Sequence, residues 1–560
     1  MKYLYTLALA TALFSCKNEA PTTTVDITPR YVWEAYNDSL DIAKTQALEN
    51  SRMHLKLVNA KGLDKNDIWK DLNGEINTLS RKRISEISPL ILEQDIPTIQ
   101  KHIKNGDFSY EELTLFYLNR IARFESDNDL ALNGVISLNK EAVQEARALD
   151  AIDKSTIDEY SVYGMPILLK DNIGAAGMIT TAGSVALADN NAGDAFITKR
   201  LKEENAIILG KANLSEWAYF LCTGCPVGYS AVGGQTINPY GRLQFESGGS
   251  SSGSGVSVAA NYAVAAIGSE TSGSILSPSS QNNLVGLKPT IGLLSRSGIV
   301  PISSHLDTPG PMTKNVVDNA IVLQALTGKD NTDSYSYTSS SDYVTAVKNG
   351  SLEGKYLGVI KGYLQDSTYA AAINKLKETK ATLVEVDMER VNMPGFLSIL
   401  NIDMKNDLPA YYDAEVASSV KNRNIEELIT FNNQDSLTRI PYGQQLFKGI
   451  VADSTTAVEL KAIKENLMKV TQAYFQDALS KHPEAGGQLD AILSINNYDA
   501  GYAAAAHYPA LTIPMGFTAQ GEPKGITIIT PSKQEEVIYN IAVGVESTLN
   551  ARTLPEGYQE

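Results

Sequence analysis

Apolar positions along the chain follow two rhythms. Short unbroken runs at Pro166–Leu169, Ala206–Leu209, Val264–Ile267, Tyr356–Ile360, Leu383–Val386, Ala491–Ile495, Leu511–Ile513 and Ile526–Ile529 predict strands, with a shorter one within Asn133–Leu138. Between most of them the spacing turns helical, as in Ile91–Phe124 with Ile99, His102, Ile103 and then Tyr110 to Ile121. Continuous rather than alternating apolar strands are buried on both faces, so the pattern predicts an α/β fold. A mixed, mostly parallel central sheet is expected, covered by helices on both faces. Tyr31, Trp33, Ala35, Leu40, Ala43, Ala47 and Leu48 recur at roughly helical spacing. Residues 30–90 are therefore expected to form an added helical segment. Residues 91–555 read as one body, within which 389–484 lacks strand runs and is expected to form a helical cap or flank. No repeat of solenoid period is visible.

The first residues read as a processing signal. Met1-Lys2 precedes an apolar run from Leu4 to Phe14, too short to span a bilayer. The run ends in Leu13-Phe14-Ser15-Cys16, which looks like a lipobox with Cys16 as the lipidated new N-terminus. Residues 1–15 are thus expected to be removed, and 16–29, polar with Thr and Pro, to serve as a tether. The chain is expected to be exported and held to a bacterial membrane by lipid alone.

Composition narrows the function classes. Of 560 residues, 64 are Asp or Glu and 48 are Lys or Arg, a net charge of −16. Such a surface repels phosphate backbones, so no nucleic-acid partner is expected. Five His, none in ligand spacing, argue against a zinc enzyme, and no cofactor is expected. With 3 Cys, a disulfide scaffold is excluded. Gly210-Lys211-Ala212 resembles the end of a phosphate-binding loop, but Asn205 stands where the first Gly belongs, and Ala212 offers no magnesium ligand.

Chemistry concentrates in two places. Residues 247–254 read Ser-Gly-Gly-Ser-Ser-Ser-Gly-Ser, a flexible-linker composition. Yet Val256, Val258, Ala259 and Ala260 follow and lead into Ala263–Ile267, the pattern of a helix entering a buried strand. That strand is expected to end at Gly268, with Ser269–Ser274 as a tight turn presenting a serine beside consecutive N–H groups. Ser251 and Ser252 are expected to cap the helix. His305 and Asp307 are two apart, too close for a serine–histidine–aspartate relay. Lys170, closing the strand Pro166–Leu169, is the better base, because burial lowers a lysine toward its neutral form. A lysine snorkelling to the surface at a strand end is the alternative.

Several motifs together resemble the amidase signature family. They are Tyr163–Asn172, Gly210–Ala218, Gly234–Tyr240, Ser247–Ser254, Thr271–Ile275 and Val285–Thr290, supported by Leu306–Met312 and Tyr508–Gly516. The resemblance spans roughly 90–550 and implies the amidase signature fold and a Ser–cis-Ser–Lys triad. Position by position, it implies Ser274 as nucleophile, Ser250 as the cis-peptide serine and Lys170 as base. The N–H groups of Thr271, Ser272, Gly273 and Ser274 are implied as oxyanion donors.

Two departures stand out. Leu276 occupies a position where many members have Arg, and Glu270-Thr271-Ser272-Gly273-Ser274 replaces Asp-Thr-Gly-Gly-Ser. With the triple serine at 250–252, they bring the chain nearer the bacterial peptide amidases than the transamidase subunits. A small-molecule or peptide amide is the implied substrate. A fatty-acid-amide or aryl-amide hydrolase of the same family is the alternative, and a non-catalytic surface lipoprotein is the reading from another class. Cys222 and Cys225, in Cys-Thr-Gly-Cys, are candidates first for a small disulfide, then for free thiols, and last for metal binding. Intact mass of the membrane-extracted protein is expected to show a diacylglyceryl adduct on a chain beginning at Cys16. A soluble product beginning elsewhere overturns this.

Overall fold

A computed structural model describes residues 28–559, apart from 417–418 and 484–485. The expected leader, Cys16 and nearly all of the tether lie outside the described residues. Among those described, no helix is long and apolar enough to cross a membrane.

Eleven strands form one sheet. In chain order they are β1 (Val135–Leu138), β2 (Pro166–Lys170), β3 (Ile207–Ala212), β4 (Ala265–Glu270), β5 (Val285–Lys288), β6 (Thr308–Thr313), β7 (Tyr356–Ile360), β8 (Thr382–Val386), β9 (Ala491–Ile495), β10 (Ala510–Phe517) and β11 (Pro523–Ile529). Their spatial order is β1-β3-β2-β4-β6-β5-β10-β11-β9-β7-β8. Parallel pairing holds in two blocks, β3-β2-β4 and β9-β7-β8. Between them, and at the β1 edge, the pairing is antiparallel.

The first parallel block, β3-β2-β4, falls where the sequence is apolar and the strands are buried throughout, whereas β8 at the sheet edge, Thr-Leu-Val-Glu-Val, is partly exposed. β2 is buried at all five positions because β3 and β4 flank it and helices cover both faces. β5 and β6, by contrast, are strands that the apolar pattern does not announce. β6 reads Thr-Pro-Gly-Pro-Met-Thr, and Pro normally demotes a strand because it cannot donate to a ladder. Here β6 pairs with β4 along its whole length but with β5 only at Met312 and Thr313. Pro309 and Pro311 therefore lie where the β5 side asks little of them. The same pairing corrects the expected end of β4. Ser269 and Glu270 pair with Pro309 and Thr308, so the strand continues two residues past Gly268.

The helix Ser252–Ala259 is completely buried. Its Gly- and Ser-rich sequence has poor intrinsic helicity, so packing rather than propensity holds it. A Cβ on Gly253 would lie 2.4 Å from the backbone of both Asn213 and Gly134, so only glycine permits this approach. Neither serine at its start caps it. Ser251 Oγ donates to the Ser269 carbonyl at 3.1 Å, and Ser252 Oγ to the Gly248 carbonyl at 2.6 Å. Both hydroxyls are used for tertiary and loop contacts instead.

The segment preceding residue 91 is less helical than its spacing suggests. Tyr31, Trp33 and Ala35 lie in irregular chain; short α-helices stand at Ser39–Thr45, Asn66–Trp69, Asn73–Thr78 and Arg81–Ile91, with single 3-10 turns at Ser51–Met53 and Lys70–Leu72. Asn66 explains part of this, because its side chain bonds both the N–H and the carbonyl of Trp33 and so replaces helical partners. The segment shares the main core through Trp33, Leu55, Trp69 and Ile76. Within 389–484 the described helices are chiefly Phe396–Glu415, Ile425–Gln434, Gln445–Ala452 and Ala457–Leu479, and a short strand, Ser480–His482, pairs with Gly487–Gln488 at its end. Met404, Leu408, Tyr412 and Phe447 from this layer pack on Trp217, Phe220 and Ile302 in a second apolar cluster.

Gly253→Ala tests the packing. In an exposed helix the change stabilises by about 1 kcal/mol, whereas overpacking a filled interior costs about 1–3 kcal/mol. Urea unfolding is expected to show a net loss of up to about 2 kcal/mol. A gain would contradict the backbone approach.

Candidate active site

Lys170 ends β2 with no exposure to solvent. Its Nζ donates to Ser250 Oγ at 2.8 Å, to the Ser269 carbonyl at 2.9 Å and to Ser269 Oγ at 3.0 Å. Burial pulls its pKa down to about 7, against the opposing pull of the Asp307 and Glu270 carboxylates. The alternative of a lysine reaching the surface is therefore excluded.

Ser250 stands in the loop before the buried helix, and the Gly249–Ser250 peptide is cis. Backbone bonds fix it on both sides. The Ser250 carbonyl accepts from Ser215 N at 3.0 Å, and Ser251 N donates to the Ser274 carbonyl at 3.1 Å. Gly248 has φ +67°, and a Cβ there would meet Pro278 Cα at 2.5 Å, so the loop needs glycine twice over.

Ser274 is half-buried in the turn after β4. Glu270 closes that turn, its Oε2 accepting from the N–H groups of Ile275 at 2.6 Å and Leu276 at 3.0 Å. Gly273, at φ +91°, provides the left-handed step. Among the described residues, the N–H groups of Thr271, Ser272, Gly273 and Ser274 have no acceptor within the protein. Four consecutive donors beside a hydroxyl are suited to a developing oxyanion. Leu276 is buried among Ile360, Tyr502 and Ile529, so the departure from Arg places an apolar core side chain there.

Asp307 does not face His305. Its carboxylate accepts from Thr271 Oγ1 at 2.5 Å and from the N–H groups of Ile302 and Ser303 at 2.8 and 2.9 Å. Burial raises its pKa to about 6. His305 instead lies with its ring centroid 4.6 Å from that of His507, and its Nδ1 is 3.0 Å from the Tyr335 hydroxyl. Burial lowers its pKa to about 4. A cavity of about 300 Å³ opens beside Asn172, Ser269, Thr271 and Asp307 and is roofed by Asp407 and Tyr411 of the 389–484 layer.

Cys222 and Cys225 are joined by a disulfide. They sit apart from this cavity, beside Tyr229 and Tyr442, and Tyr219 Oη donates to the Cys225 carbonyl at 2.7 Å. Among the described residues, no group of three or more His, Cys, Asp or Glu side chains is arranged to hold a metal. Sequence reasoning passed over Ser269, Asn172 and the use made of Asp307. Their only local signal is polarity at strand ends, because the pairing of β4 with β2 and with β6 is what brings them together.

The sequence pattern described as Amidase matches residues 112–538. A probable amidase of Arabidopsis thaliana is 32% identical over 485 residues, covering 83% of this chain and 92% of that protein. A glutamyl-tRNA(Gln) amidotransferase subunit from Rippkaea orientalis is also 32% identical, covering 81% and 97%. An amidase family protein from Bacillus anthracis superposes with a TM-score of 0.83 at 33% identity, covering 89% of this chain and 99% of that one. The peptide amidase of Stenotrophomonas maltophilia gives 0.76 at 34% identity, covering 83% and 99%. With most of the sheet and the whole serine-rich segment inside the matched span, this chain belongs to the amidase family and is an amide-hydrolysing enzyme.

Proposed function

We propose that the protein hydrolyses small carboxylic or peptide amides through an acyl-enzyme on Ser274, with Ser250 as proton relay and Lys170 as base. The observation that carries this reading is the 2.8 Å contact between Lys170 Nζ and Ser250 Oγ, made by an amine sealed from water. Ser274 Oγ attacks the amide carbon and passes its proton to Ser250, whose own proton goes to neutral Lys170. The new O–C bond places negative charge on the former carbonyl oxygen, which the N–H groups of Thr271, Ser272, Gly273 and Ser274 receive. Collapse breaks the C–N bond, and the proton returns through Ser250 to the leaving amine. Water then attacks the ester by the same route and frees Ser274.

A peptide amide is the favoured substrate class, supported by the likeness to the Stenotrophomonas peptide amidase and by a cavity with both apolar and acidic walls. The lipobox-like segment ending at Cys16 supports an exported enzyme tethered by lipid.

A base with a depressed pKa has a definite sign. Lys170 is neutral above its folded pKa of about 7, so the rate is expected to rise with pH through that value. Lys170→Ala is expected to lose about 10²–10⁴-fold near neutrality, and less at strongly alkaline pH where hydroxide substitutes. A flat wild-type profile points to another base. The serines are separated by fluorophosphonate labelling followed by peptide mass mapping. Ser274→Ala is expected to give no adduct and Ser250→Ala a slow one on Ser274. An adduct mapped to Ser250 reverses the two roles.

A further inference from the structure

Lys170 Nζ is surrounded by three oxygens, Ser250 Oγ, the Ser269 carbonyl and Ser269 Oγ. An ammonium has three N–H donors and no acceptor, whereas a neutral amine has two donors and a lone pair. The three oxygens therefore match the protonated amine donor for donor. They form a cage ready for the charge that appears when the lysine takes a proton.

The three acceptors are not equally fixed. Ser250 Oγ belongs to the relay itself. The Ser269 carbonyl is held by the ladder between β4 and β6 and also accepts from Ser251 Oγ. Ser269 Oγ rides on a rotatable side chain outside the relay, and a second residue holds it. Asn172 Nδ2 donates to Ser269 Oγ at 2.9 Å and to the Val300 carbonyl at 3.4 Å. Both contacts orient the amide, because the Val300 carbonyl can only accept and so calls for the NH₂ end on that side. Asn172 is 3% exposed, its backbone carbonyl accepts from Val300 N at 2.8 Å, and its side-chain oxygen has no partner among the described residues. Its backbone and side chain are thus both locked to the loop that lines the cavity.

We propose that Asn172 is a positioning residue which, through Ser269, holds the oxygen cage that receives the protonated form of Lys170. This rests on the reading of Lys170 as the proton acceptor. Its force comes from what the cage lacks. The carboxylates facing Lys170 are Glu270 from β4 and Asp307 from the loop before β6. Glu270 accepts from the N–H groups of Ile275 and Leu276, and Asp307 from Thr271, Ile302 and Ser303. Asp171, next in the chain, pairs with Lys211 at 3.2 Å. Among the described residues, no carboxylate lies within ion-pair distance of Lys170 Nζ. The ammonium thus depends on neutral oxygens, and losing one of three is a large fraction of its solvation.

The test reads the pH dependence of the rate at which a fluorophosphonate modifies Ser274, followed by intact mass, so no substrate need be known. Asn172→Ala and Ser269→Ala each weaken the cage for the ammonium. Both are expected to lower the plateau rate about tenfold and to move the rising limb down by about one pH unit, the scale of one hydrogen bond to a charged group. Asn172→Asp sets a carboxylate beside the cage and is expected to move the limb up. General damage to the site lowers the plateau without opposed shifts, so the pair of signs identifies positioning. Limbs unmoved in all three, with Lys170→Ala strongly slowed, overturn the proposal alone. Wild-type labelling by Lys170→Ala overturns the reading of the base beneath it. Should the Asn172 variants fail to fold, Ser269→Ala, which removes a single hydroxyl, decides.

Discussion

A primary amine closed off from water at the end of a buried strand is the constraint on which the rest of this structure depends. Burying an ionisable group without an ion partner is costly, and proteins meet that cost by pairing it, bonding it or neutralising it. Three of the buried lysines show different solutions. Lys211 pairs with Asp171, whose other oxygen bonds Thr181. Lys288 donates to the Pro289 carbonyl, and burial lowers its pKa to about 8. Lys170 has three neutral oxygens, and burial brings its pKa down to about 7. Of the three, it is the one whose partners include a hydroxyl in the loop of the cis peptide.

That arrangement explains the small residues around it. The oxygens that meet Nζ come from the loop before the helix Ser252–Ala259 and from the end of β4, so helix and strands must approach closely. Gly253 allows contact with the backbone of Asn213 and Gly134, and Gly268 leaves room for Ser251 Oγ, which a Cβ would approach to 2.9 Å. The same composition that suits a flexible linker thus makes a rigid, completely buried helix. Context decides between the two, through the apolar strand into which the segment runs.

Legibility in the sequence followed the range of the interactions. β2, β3 and β9 were readable because burial on both faces leaves continuous apolar runs. β5 and β6 were not, since their place in the sheet comes from pairing with β4 and β10 and not from their own side chains. Lys170, Ser250 and Ser274 were reachable through motif resemblance, and Lys170 also through its position at a strand end. Ser269 was read as part of a turn because nothing local shows that Pro309 stands opposite it. Asn172 and Asp307 were hidden for a related reason, since the partners that give them their roles come from elsewhere in the chain. The serines at 251 and 252 depart from a sound local rule, because Ser251 Oγ accepts from Ser269 N at 3.2 Å instead of from a helix N–H, and Ser252 is already the first residue of the helix.

The division between sheet and cap also bears on what kind of chemistry can vary. Lys170, Ser269 and Glu270 stand at the ends of adjacent strands, and Ser250 and Ser274 in loops fixed by glycine and by backbone bonds. A side chain changed there disturbs several partners at once. The cavity wall beyond them is different, because Asp407 and Tyr411 belong to one helix of the 389–484 layer, held by apolar packing that tolerates exchange. On the proposed reading, amide chemistry would rest on the rigid part, and selection among amides would fall to the part that can be repacked.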